Sequence, residues 1–71
     1  MKFEELDVVK TLIEFPDKGI EKGEVGTIVH IFSIPNEAYL VEFINKDGST
    51  KAEFPILPEN IILVWSFNEN Q

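Results

Sequence analysis

The chain has 71 residues and no cysteine, with 13 acidic residues against 6 lysines, no arginine and a formal charge of −7. Its length is that of one domain, residues 1–71, whose core adds only about 3–5 kcal/mol of net stability, and without cysteine neither disulfides nor thiolate metal sites can supplement it. The charge weighs against nucleic acid, because affinity for phosphate is built from cationic side chains and arginine is its usual bidentate reader.

The first ten residues, "MKFEELDVVK", place acids where an export signal needs an apolar run, and no stretch reaches the roughly 20 apolar residues of a membrane helix. The expectation is a cytoplasmic protein with no membrane association, in which residues 1–6 form a lead-in. Val8, Val9, Thr11 and Ile13 are β-branched and favour a first strand near 7–14. The polar connection "FPDKGIEKG" follows, punctuated by Pro16, Gly19 and Gly23, with Ile20 expected to tuck it onto the core. A second strand is expected near 25–33, where Gly26 signals a bulge or a close backbone approach.

Pro35 and Asn36 supply the next turn, and the third strand, near 38–45, puts Tyr39, Val41 and Phe43 on one face and Leu40 and Glu42 on the other. "NKDG" is a hairpin signal, with Asp47 and Gly48 between two extended runs. The fourth strand, near 49–54, turns Thr50, Ala52 and Phe54 inward and Lys51 and Glu53 outward. "PILPEN" holds a 3-10 turn near residues 58–60, residues 61–65 form the last strand, and 66–71 read as a flexible tail. Val9, Ile28, Val41, Phe43 and Ala52 are the expected core. The fold expected is all-β: a small SH3-like five-stranded antiparallel barrel with a long first loop and a 3-10 turn before the last strand. An open sheet with an N-terminal helix is the runner-up.

Three blocks in order, "LDVV" at 6–9, "GIEKGEVGTIV" at 19–29 and "YLVEF" at 39–43, resemble the small bacterial proteins of the domain of unknown function 4926 family. The resemblance covers residues 5–64 and implies an SH3-like fold with no assigned activity. Such genes often neighbour another small gene, which implies a two-gene, toxin–antitoxin-like setting. Trp65 and Phe67 extend past the family's usual end. The glycine element also resembles the KOW motif, in which basic neighbours of the turn touch RNA. Here Gly19, Gly23 and Gly26 fit the turning role. The neighbouring cations, Lys18 and Lys22, are interleaved with Asp17, Glu21 and Glu24, so the element reads as a fold signature.

His30 is the one histidine and has no companion ligands of matched type, so it is expected on the surface. No nucleophile–base spacing or phosphate-cradling loop is present, and no catalytic, cofactor or metal role is expected. Phe32 is expected to plug one end of the barrel, while Phe15 fits either an end plug or a partner contact. The expected function is a non-enzymatic protein-binding module, the antitoxin-like or regulatory partner of a neighbouring gene product. The alternatives are a KOW-type nucleic-acid-binding module and a structural homo-oligomer. The partner would carry a basic surface, met by Asp17, Glu21, Glu24, Glu42 and Glu53. Tyr39, Trp65 or Phe15 would supply the apolar anchor, with Phe67 beside Trp65 at a contact with a partner or a second copy.

Overall fold

Residues 2–68 are described by a computed structural model, in which apolar–polar alternation becomes a single sheet of five antiparallel strands. They are β1 (Val8–Thr11), β2 (Val25–Phe32), β3 (Ala38–Ile44), β4 (Thr50–Ile56) and β5 (Ile61–Trp65). Their order in the sheet is β4-β3-β2-β1-β5. Two 3-10 turns, Pro16–Lys18 and Pro58–Asn60, interrupt the connections, and there is no α-helix among the described residues. The expected N-terminal helix of the runner-up arrangement does not form.

Alternate residues from every strand converge on one cluster: Val9, Ile28, Tyr39, Val41, Phe43, Phe54, Ile56 and Ile61. Phe3 from the lead-in and Ile20 from the first loop complete it, so the loop residue expected to tuck inward does so. Ala52 is the exception among the expected core residues. It is partly buried and packs against the cluster from the edge strand β4, where the sheet covers it on one side only. Thr50, also expected inward, is exposed at the start of the same strand.

The first strand stops at Thr11 rather than at Glu14. The Thr11 hydroxyl donates to the Glu21 carbonyl and accepts from the Gly23 N–H, both at 3.0 Å, which pins the far end of the first loop against β1. The Leu12 N–H still donates to the Asn60 carbonyl at 2.8 Å, but the chain bends at Leu12 and Ile13, and both side chains stay exposed. Phe15 and Ile20 then exchange backbone hydrogen bonds around the Pro16–Lys18 turn. Phe15 packs edge-on against Phe54 of β4, ring centroids 5.1 Å apart, so the loop lies over the inner face of the sheet.

Gly26 is required by a close approach. A Cβ there would sit 2.6 Å from Val41 Cγ1 and 2.9 Å from the Glu42 carbonyl oxygen. The bulge of β2 falls instead at Val29, between Ile28 and His30. β4 continues through Pro55 to Ile56, two residues beyond its expected end. It is an edge strand, and the missing N–H of a proline costs nothing on an edge that faces solvent. At the other edge, β5 pairs with β1 alone. β4 and β5 are not paired with each other, so the hydrogen-bonded closure expected of a barrel is not formed. The expected tail is anchored at its start, because Ser66 is buried and Asn68 Nδ2 donates to Glu4 Oε1 at 2.7 Å. Residues 69–71 of that tail, and Met1 of the lead-in, lie outside the described residues.

Candidate interaction face

Strand register decides which of the expected residues share a surface. Paired residues project to the same side of the sheet, and one row crosses all five strands: Trp65, Val8, Thr27, Glu42 and Glu53. The row lies on the outer face, opposite the core. Its β5–β1 end is apolar and its β3–β4 end is acidic. The adjacent row, Ile62, Lys10 and Val25, extends the apolar end and sets one cation into it. On the other side, His30, Leu40 and Pro55 form the next row, followed by Phe32 and Ala38.

The acidic end carries an uncompensated cost. Glu42 and Glu53 stand directly opposite each other, an arrangement that is mildly destabilising in an antiparallel pair. Thr50 donates its hydroxyl to Glu42 Oε2 at 2.8 Å, and neither acid is paired with a lysine among the described residues. A cationic group brought to this face would relieve the repulsion.

The apolar residues beyond the His30 row open into a groove of about 350 Å³ lined by Phe32, Ile34, Pro35, Ala38, Pro55 and Leu57, together with Asn36. Ile34, at the tip of the β2–β3 turn beside the cis Ile34–Pro35 peptide, is 87% exposed. Phe32, expected to plug one end of the barrel, instead stands half-exposed in the groove wall with His30 edge-on to it at 4.7 Å. The groove draws on residues 32–38 and 55–57, separated in sequence. Its one signal in the chain is the isoleucine embedded in the turn "SIPNE".

The remaining expected residues separate. Tyr39 is 0% exposed and cannot act as a surface anchor. Its hydroxyl accepts from the Lys2 and Phe3 N–H groups and donates to Glu37 Oε2. Burial raises the Tyr39 phenol above its ordinary value, helped by the bond to Glu37, and that same bond holds the Glu37 carboxyl low. Phe15 is half-buried against Phe54 and serves as the loop's own plug. Glu24 is already occupied. Its Oε2 meets Lys51 Nζ at 2.8 Å and its Oε1 accepts the Glu21 N–H at 3.0 Å, with the lysine contact the larger cause of a lowered pKa. Asp17 and Glu21 are exposed in the first loop, away from the acid pair of β3 and β4 in the ladder. Trp65 and Phe67 meet edge-on at 6.1 Å, with Trp65 exposed and Phe67 half-buried.

The turn residues perform as turn residues. Gly19, Gly23 and Gly48 have φ of +69°, +86° and +90°. Asp47 Oδ1 accepts from the Ser49 hydroxyl at 2.6 Å and from its N–H at 3.0 Å, which together lower the Asp47 pKa. Of the cations beside the glycine element, Lys18 lies over the Phe54 ring at 5.5 Å and is drawn toward the core's edge. Among the described residues no group of three or more His, Asp or Glu side chains is placed to hold a metal ion. Among the described residues no helix is long and apolar enough to cross a membrane.

A family model described as a domain of unknown function (DUF4926) matches residues 5–63. No curated protein and no solved structure gives a match.

Proposed function

The chain belongs to the DUF4926 family, and from that premise we propose that it is a small non-enzymatic protein-binding module of SH3-like architecture whose partner presents a basic surface. The strand order, the long first loop and the 3-10 turn before the last strand are what support the SH3-like reading. The observation that carries the functional one is the outer row from Trp65 to Glu53. It sets a half-exposed tryptophan and an unpaired carboxylate pair on one continuous face. Tryptophan is favoured as a binding anchor because it buries a large area at low entropic cost, while charge at the rim chiefly governs encounter.

A partner that itself acts on nucleic acid would find in Glu42 and Glu53 a substitute for phosphate, which is how an antitoxin-like member of a gene pair would occlude its counterpart. The reading is tested by purifying the tagged full chain from its own cells, identifying the protein retained, and measuring association with that protein by stopped flow. Association is expected to slow by roughly tenfold or more as salt is raised, and to slow similarly in an E42K/E53K variant. A rate indifferent to both would leave the acids as solvating groups only.

A further inference from the structure

The two edges of the sheet are unlike. β4 carries Lys51, Glu53 and a proline, each of which deters a further strand from pairing there. β5, "IILVW", carries none of these. Its residues Ile62, Leu63, Val64 and Trp65 are each between 42% and 51% exposed, on both faces of the strand. No charged residue occurs from position 60 to position 68. With β1 as its one neighbour, β5 presents a line of backbone N–H and C=O groups outward beside those apolar side chains. The bulge at Val64 lies on the β1 side. It shortens the regular stretch of β5 but places neither charge nor proline in it.

We propose that β5 pairs antiparallel with β5 of a second copy of this chain, about a two-fold axis at Ile62. That register sets Ile62 against Ile62 on the outer face and Ile61 against Leu63 on the inner one, the three residues before the bulge, so every opposed pair is apolar. A two-fold contact of this kind removes both bare edges at once, and the guarded β4 edges stop the sheet from growing into a fibre. Net charge does not forbid it. Glu42 and Glu53 lie three and four strands away, roughly 14 and 19 Å at about 4.8 Å per strand, beyond the Debye length of about 8 Å at physiological ionic strength. The acids near the strand sit at its ends: Glu59 in the turn before it, and Glu4, which holds Asn68. Antiparallel pairing brings Glu59 of one copy toward Glu4 of the other, so added salt strengthens the dimer.

The proposal does not rest on the reading of the outer face. It is tested by sedimentation velocity on the full chain over a micromolar-to-millimolar range at low and high salt, with I62K and V64K as edge variants and V25K as an outer-face control. All three positions are exposed, so the core is untouched. The expected result is a species of twice the 8.1 kDa chain mass, favoured by salt, retained in V25K and weakened about tenfold or more in I62K and V64K. Hydrogen exchange is expected to slow with concentration in β5 and not in β4. A monomer under all conditions overturns the proposal. So does a dimer indifferent to both edge variants, or one lost in V25K alone.

Discussion

Tyr39 shows how a side chain that looks like a surface anchor in the sequence becomes a structural tie. Its ring is part of the core, while its hydroxyl gathers Lys2, Phe3 and Glu37 and so fastens the lead-in to β3. Because the folded phenol titrates above its ordinary value of 10.0, the neutral form is the one folding favours. That contribution is whole below pH 10 and is lost as pH rises through the raised value. The chain has one tyrosine, so ultraviolet absorbance reads this titration directly and is expected to place its midpoint above that of the unfolded chain. Tyr39→Phe leaves the two N–H groups without this acceptor. It is expected to lose about 1–3 kcal/mol at neutral pH and to abolish the alkaline transition. Gly26 is a tie of another sort, since the backbone of β3 and the side chain of Val41 occupy the space of its missing Cβ. Gly26→Ala is expected to cost roughly 1–3 kcal/mol in urea denaturation, as overpacking does. A neutral result would mean that β2 and β3 can separate without loss.

Among the elements, the first loop is held by its ends. The Thr11 hydroxyl closes one end on Glu21 and Gly23, and Glu24 joins that end to β4 through Lys51. Glu24 has a folded pKa below its ordinary 4.5, so its ionised form contributes stability above that value and loses it as pH falls through the lowered one. Glu24→Gln is therefore expected to be less stable than the parent at neutral pH. The difference is expected to shrink toward zero as urea midpoints are followed down the acid limb, and an unchanging difference would exclude the ion pair as its source. All five strands were legible because alternation and turn residues agree in each, and the 3-10 turn at Pro58–Asn60 was marked by its prolines. The errors have local causes. Leu12 and Ile13 continue the apolar run of β1, but Thr11 has already bent the chain away. Pro55 reads as a terminator until β4 is known to be an edge. The groove was hidden because Phe32, Ile34 and Leu57 meet only through the register of three strands. Glu24 and Tyr39 were misread because their partners, Lys51 and the lead-in, are remote in sequence.

For the molecule as a whole, the unequal spread of charge matters more than its total. The acid pair at one end of the outer face faces an apolar end that holds Lys10, and of the two cations beside the glycine element Lys18 lies over the ring of Phe54. Fluorescence anisotropy with labelled RNA and duplex DNA at physiological salt is expected to show no binding, because a field of this sign repels phosphate and no arginine is present. A salt-sensitive micromolar complex would restore a functional role to the glycine element.

The position of β1 between β2 and β5 also sets a timetable. Synthesis runs from the N-terminus, so β1, β2, β3 and β4 are complete before the strand that flanks β1 on its other side exists. Thr11 precedes its partner Ile61 by 50 positions, an interval of about 3–10 s at roughly 5–20 residues per second. Any sheet that β1, β2, β3 and β4 form before β5 joins them is bare at β1, along "VVKT", with Lys10 its sole charge. A released chain that ends before Ile61 is the form in which that edge persists, and the arrival of β5 transfers the bare edge from the second-last strand of the sheet to the last.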